Sequence, residues 1–321
     1  MLSRVADNLY WMSRYLERAE HTARLIDVSL NLMLDQAPAA AEQHWRRLLR
    51  LLAPSPQDAV AVDDAYSITQ WLTFDPSNHT SIVACVVAAR ENARQVRELI
   101  SSEMWEQLNQ LFLQVNRTKL DDIWNAQPHE FFRTVKQGAH LFQGITDATM
   151  NHGEGWYFIQ LGCSIERAAA TAALLDSHFR EFPYNQAAGV EISNYLEWVG
   201  LLRSCTAFEA YCKVYTANVR AAAIVEFLLL NPESPRSVRF AAERIERALK
   251  VIAQATGPRS NGRAERLAGR LRSTLDYAQI DEIMADNLHA YLEQIQRQCG
   301  QVHAAIQETY ITYPIESALV A

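Results

Sequence analysis

Glu17-Arg18-Ala19-Glu20-His21-Thr22-Ala23-Arg24-Leu25-Ile26-Asp27 is answered 149 positions later, without a gap, by Glu166-Arg167-Ala168-Ala169-Ala170-Thr171-Ala172-Ala173-Leu174-Leu175-Asp176. A weaker match keeps the same order: Asp75-Pro76 with Ser81-Ile82 four residues on, against Asn231-Pro232 with Ser237-Val238. Together they predict a duplicated unit of about 150 residues, and so two packed helical bundles rather than a short-period solenoid. The expected halves are residues 1–152 and 153–321 of one continuous, all-α chain.

Around the first copy, Leu9, Met12, Leu16, Ala19, Ala23, Ile26, Leu30 and Met33 recur at spacings of three and four, which predicts one long amphipathic helix over Asp7–Leu34. Further helices are expected over Ala40–Leu52, Asp63–Leu72, Ile82–Ser101 with Ser81 as cap, Ser102–Arg117, Pro128–His152 and Trp156–Arg180. Beyond a loop at Pro183–Gly189 come Ser193–Tyr215, Arg220–Leu230, Ser237–Gln254, Asn261–Arg272 and Ile280–Thr312, with a loose tail after Pro314. No stretch alternates with period two, so no significant sheet is expected.

Composition agrees: 49% of the 321 residues are apolar and 21% charged, with only 11 Gly and 10 Pro to make turns. The formal charge of −7 argues against a general nucleic-acid binder, which needs a net basic face. Five scattered cysteines without a C-x-x-C pair read as reduced thiols, and no run approaches 18 apolar residues. A cytoplasmic protein without a membrane span is the expectation.

Neighbouring Glu and Arg on a helix point about 100° apart, so each must find its partner elsewhere. In the first copy Arg14, Glu17, Arg18 and His21 form one polar stripe, extended by Glu20 and Arg24; its counterpart is Cys163, Glu166, Arg167 and Ala170. The small residues Ala19, Ala23, Ala168 and Ala172 would let the helices approach closely and desolvate those ions. Three readings stay open: inter-helix salt bridges, with Glu17 meeting Arg167; an anion pocket in which Arg14, Arg18, His21 and Arg24 take a carboxylate or phosphate; or a solvated face.

A second charged cluster includes Arg90, Glu91, Arg94 and Arg97, and a third holds Arg203, Glu209, Tyr211 and Tyr215. The chain has no P-loop, G-x-G-x-x-G, G-x-S-x-G or H-E-x-x-H. Asp286-x-x-His289 stands alone, so neither a di-iron site nor any other metal or cofactor is expected.

Met1-Leu-Ser-Arg-Val-Ala-Asp-Asn-Leu-Tyr-Trp-Met-x-Arg14-Tyr-Leu-Glu-Arg-Ala-Glu resembles the opening of the bacterial alpha-E family, a helical domain named for its Glu-Arg motif. Arg90-Glu-Asn-Ala-Arg94, Leu161-Gly-x-x-Ile-Glu-Arg-Ala, Leu202-Arg203-Ser-x4-Glu209-Ala-Tyr211 and Phe227-Leu-Leu-Leu-Asn-Pro-x-x-Pro-Arg236-Ser extend the likeness over nearly the whole chain. The resemblance implies companionship with circularly permuted ATP-grasp ligases, transglutaminase-like proteins and sometimes a proteasome-like, Anbu-type hydrolase. It thus implies a role in peptide ligation or tagging. Cys163 stands where the family has an Arg, and Ala169 where it has an acidic residue, which weakens the case for a second, symmetry-related anion site.

Two functions follow as expectations. One is a non-catalytic helical partner or scaffold of an ATP-grasp peptide or amide ligase. The other is an enzyme or ligand-binding protein that uses the first-helix stripe, with Glu17 or His21 as general base if it is catalytic. A homodimer is left open.

Overall fold

The computed structural model of the chain describes residues 1–34, 37–53, 64–124, 127–182, 195–216, 218–256 and 262–312, and every regular element among them is helical. The loop expected over 183–189, the expected helix starts at 63, 193 and 261, and the tail beyond 314 lie outside the described residues.

The first half holds α1 (Ser3–Met33), α2 (Pro38–Leu52), α3 (Ala65–Thr73), α4 (Ile82–Gln95), α5 (Ser102–Arg117), α6 (Leu120–Trp124) and α7 (Pro128–Thr149). The second holds α8 (Glu154–Glu181), α9 (Tyr195–Ser204), α10 (Phe208–Tyr215), α11 (Ala221–Leu230), α12 (Val238–Thr256), α13 (Arg263–Asp276), α14 (Ile280–Ala285) and α15 (Leu288–Ile306), closed by a π-helical turn at Gln307–Ile311.

Two expected helices are broken at a local signal, and one is shortened. Helix α4, expected to reach Ser101, ends at Gln95 and a turn follows; α5 starts at Ser102 as expected, with the Ser101 hydroxyl accepting from the Met104 amide. The stretch ending at Tyr215 is two helices, parted where Thr206 takes a positive φ of 52°. Asn287 caps α15 by accepting from the Ala290 amide, which separates it from α14.

Packing forms two rings of four helices. Helix α1 lies against α4 and α7, and α5 touches both of those; α8 lies against α12 and α15, and α13 touches both of those. The rings share the α1–α8 contact. Equivalent turns precede α4 and α12: Asp75 accepts from the Ser77 amide and Asn231 from the Glu233 amide, while Ser81 and Ser237 cap their helices.

The apolar stripe of α1 from Leu9 to Leu30 is buried, as its spacing predicts, while Met33 is only half-buried. The polar face of α1 is buried too, including Glu17, Glu20 and Arg24, because α8 lies along it. Ala19, Ala23, Ala168 and Ala172 are buried at this seam. The closest approach is at Gly162, where a Cβ would stand 2.3 Å from the Tyr10 carbonyl oxygen and from Ser13 Oγ. Only glycine admits the two helices at that spacing. Among the described residues no helix is long and apolar enough to cross a membrane.

Candidate functional site

The α1–α8 seam crosses the two Glu-Arg motifs. Glu17, 1% exposed, accepts from Arg167 Nε at 2.7 Å and Nη2 at 2.8 Å. It also accepts from Arg236 Nη1 at 2.9 Å, Gln143 Nε2 at 3.0 Å and the Cys163 thiol at 3.1 Å. Reciprocally, Glu166 accepts from Arg18 Nε at 2.6 Å and from Arg14 Nε and Nη2, each at 2.8 Å. Burial pushes both carboxyls up, but Arg167 and Arg236 on Glu17, and Arg18 and Arg14 on Glu166, hold them below the usual carboxylate range.

A cavity of about 430 Å³ opens beside this crossing, walled by α1, α8 and α15. Four arginines (Arg14, Arg18, Arg167, Arg236) face it against two glutamates (Glu17, Glu166). Three of those arginines are spent. Arg167 closes bidentately on Glu17 and gives Nη1 to the Pro235 carbonyl; Arg236 spans Glu17 and Glu20. Arg14 combines Glu166 with His303 Nδ1 at 3.1 Å and stacks 4.6 Å from the Trp11 ring centroid.

Arg18 is different. Its Nε holds Glu166, while Nη1 and Nη2 have no hydrogen-bond partner among the described residues, and its side chain is 25% exposed. One turn on, His21 lines the same cavity and likewise has no hydrogen-bond partner among the described residues. Burial, reinforced by Arg236, lowers its pKa to about 4, so the ring is neutral at neutral pH. His303 is also held at about 4, by burial and by Arg14. Since a guanidinium only donates, His303 Nδ1 must accept, which leaves the proton of the neutral ring on Nε2. The Cys205 and Cys299 thiols on the wall are pushed up to about 12 by burial, which makes them poor nucleophiles.

The other expected site residues are elsewhere. Arg24 is buried one turn past His21, paired with Glu20 and 3.4 Å from His140, and does not line this cavity. Glu91 and Arg94 pair with each other on the exposed face of α4. Arg203 is exposed at the end of α9, 5.5 Å from the Phe208 ring centroid. Tyr211 is buried, its hydroxyl bonded to the Asn218 carbonyl and the Arg220 amide, so it pins a turn. The first-helix stripe therefore does not form a site alone; α8, α15 and Arg236 complete it. Arg236 was visible only as a motif residue, and His303 and Gln296 carried no signal beyond lying two turns apart on one helix face.

A second cavity, about 390 Å³, lies between α7 and α8. Its α7 wall includes His140, Gln143, Gly144 and Asp147 beside Phe142 and Thr146, and the α15 wall of the first cavity, Gln296, Cys299, Gly300 and His303, repeats the spacing of those first four. Arg167 lines both cavities. Among the described residues no three His, Cys, Asp or Glu side chains converge as metal ligands would.

An uncharacterised protein of Mycobacterium bovis and two of Mycobacterium tuberculosis are each 25% identical to this chain over 329 residues, covering 95% of it and 36% of their own length. The chain thus spans roughly a third of the curated relatives it matches. No solved structure matches it. A family model described as "Alpha-E, a predicted alpha-helical domain with a conserved ER motif" matches residues 1–311, and the chain, whose two Glu-Arg steps cross as Glu17–Arg167 and Glu166–Arg18, belongs to the Alpha-E family.

Proposed function

We propose that the chain is a non-catalytic helical module that receives the carboxylate or phosphate of a small molecule or peptide in the cavity beside the crossed Glu-Arg pairs. The observation that carries this reading is Arg18. It keeps two amino groups without partners at the wall of a cavity where every other arginine is engaged. A guanidinium with a free pair of donors is a ready receptor for an oxyanion. A catalytic role is less well supported. Glu17 is saturated by donors, and a ring held near pKa 4, as His21 is, makes a weak base at neutral pH.

A second element of the proposal is the partner. The module presents its ligand to an ATP-grasp ligase, within a system that includes a transglutaminase-like protein and in some cases a proteasome-like hydrolase. Support comes from the resemblance of the chain's motifs to those of the Alpha-E family. The matching helix order of the two rings likewise supports reading residues 1–152 and 153–321 as a duplicated unit.

Calorimetric titration of the full chain with a panel of short carboxylates and with inorganic phosphate tests the binding reading. Saturable binding that Arg18→Ala removes is expected. Failure of the whole panel to bind the folded protein would sink it. Co-purification from native lysate tests the partner separately, and recovery of no ligase where one is expressed would remove that part.

A further inference from the structure

The walls of the first cavity also say what the anion is attached to. Much of the lining is apolar, with Leu51 and Leu52 from α2 and Ile165, Ala169, Ala170 and Ala173 from α8, and Thr22, Thr80 and Thr171 stand among them. Interspersed are neutral hydrogen-bonding groups. The Ser204 hydroxyl and the Gln296 amide have no partner among the described residues, and His303 carries its ring proton on Nε2. The cavity is therefore one cationic end on a mostly apolar chamber with a few neutral polar contacts.

That pattern discriminates between anions. A phosphate dianion has two charges to answer, and one guanidinium offers donors here, because Arg14, Arg167 and Arg236 are committed to Glu17, Glu20 and Glu166. A dianion would also approach two glutamates, which repel it. A carboxylate carries one charge and two coplanar oxygens, which match the Nη1 and Nη2 edge of a single guanidinium. The volume is at the lower end of the range for ligand pockets, about 300–1,000 Å³, which suits one or two amino-acid residues rather than a cofactor.

Resting on the anion-binding reading above, we infer that the ligand is an N-acylated apolar α-amino acid with a free carboxylate, as at the C-terminus of a peptide. Its carboxylate sits on Arg18, its side chain lies among the α2 and α8 apolar residues, and its amide meets Ser204, Gln296 or His303. No bond is made or broken; the module holds the carboxyl end.

Titration of the full chain with N-acetyl-L-leucine, N-acetyl-L-leucinamide, acetyl-alanyl-leucine and inorganic phosphate tests this. The two acids are expected to bind about tenfold or more tighter than the amide, a difference of one charge-assisted contact. Acetyl-alanyl-leucine binding tighter than acetyl-leucine points to a peptide end, and the reverse to a free acyl amino acid; both support the inference. Arg18→Lys, which keeps the charge and loses the fork, is expected to weaken the acids about tenfold. Ala170→Phe, which fills the chamber and leaves Arg18 in place, is expected to abolish their binding. Equal binding of acid and amide overturns the inference. Arg18-dependent binding of phosphate alone overturns it while leaving the anion-binding reading intact. If no probe binds, both fall.

Discussion

The two cavities beside the α1–α8 seam share part of their frame and differ in how the motif arginine is used. Both are walled by a central helix and by a second helix, α15 in one case and α7 in the other, four of whose lining residues fall at the same spacing, with Phe142 and Thr146 added on α7. In the first cavity Arg14 takes up most of the load on Glu166, which leaves the Nη groups of Arg18 without partners. In the second, the position corresponding to Arg14 is Cys163, and its thiol gives Glu17 no cation. Arg167 must then close on Glu17 with both Nε and Nη2, helped by Arg236 from outside the motif. A single Arg-to-Cys difference thus decides whether the motif arginine is a structural tie or an available donor.

The sharpest way to break this comparison is to truncate the two motif arginines in turn. Arg167→Ala removes both hydrogen bonds of the guanidinium from a carboxylate that is 1% exposed. Breaking such a buried pair costs about 3 kcal/mol, at the lower end of the usual range because Arg236 and Gln143 still reach Glu17. Arg18→Ala removes one charge-assisted hydrogen bond from a partly exposed side chain, and Glu166 keeps Arg14, so about 1.5 kcal/mol is expected. Urea denaturation of both variants measures the difference. Equal losses would mean that Arg18 is as much a tie as Arg167, and the asymmetry would be gone.

Acid tests the same contrast at a smaller scale. His21 and His303, both in the first cavity, are held at about pKa 4 by burial and neighbouring arginines, against an ordinary 6.5. Below about pH 6.5 the unfolded chain takes up protons that these rings refuse in the fold. Stability is therefore full above that pH and falls as pH drops toward 4, by about 1 kcal/mol per ring at pH 5.5. Below the ordinary carboxylate range Glu17 and Glu166 add a further loss, since their depressed values favour the fold only while they are ionised. His140 in the second cavity is also lowered to about 4, but its side chain is exposed and its contribution is screened. Melting temperatures at pH 7 and 5.5 should draw closer for the His21→Asn/His303→Gln double variant, with buried His178, lowered to about 3, keeping part of the gap, and stay as far apart as in the parent for His140→Gln. The opposite result would place the acid sensitivity in the second cavity.

Much of this arrangement was legible in the sequence, and the rest was hidden for identifiable reasons. Helical geometry shows only that Glu17 needs a partner off its own neighbour; the pairing with Arg167 is one of three readings the sequence leaves open, and the structure selects it. The buried stripe of α1 follows from its period. Arg236 and His303 are not legible as site residues, because they reach the cavity from the turn before α12 and from α15, each more than 200 positions away in the chain, and no local pattern encodes that approach. Arg24 is expected beside the stripe from its helical spacing, and Glu91, Arg94 and Arg203 from charged clusters on other helices; the rotation of α1 and the exposure of α4 and α9 place them away from the cavity. The break at Thr206 was missed because threonine in a left-handed conformation has no sequence signature.

The smallest effect separates frame from function. Gly144 and Gly300 occupy matching positions, each inside a helix and each with nothing within 4 Å of where a Cβ would stand. Alanine at either position removes the entropic cost of a mid-helix glycine, so each variant should gain about 0.5–1 kcal/mol. As far as stability is concerned the two sites are the same. They differ in what the new methyl faces: Gly300 lines the cavity that holds the free Arg18 donors, and Gly144 lines the one where the motif arginine, Arg167, is closed on Glu17 and Arg244 bonds Gln160. Gly300→Ala should therefore weaken binding of N-acetyl-L-leucine while Gly144→Ala leaves it unchanged, as read by titration of the two stabilised variants. A loss of affinity in Gly144→Ala equal to that in Gly300→Ala would mean that the ligand occupies the second cavity, and that a spent arginine is no bar to binding.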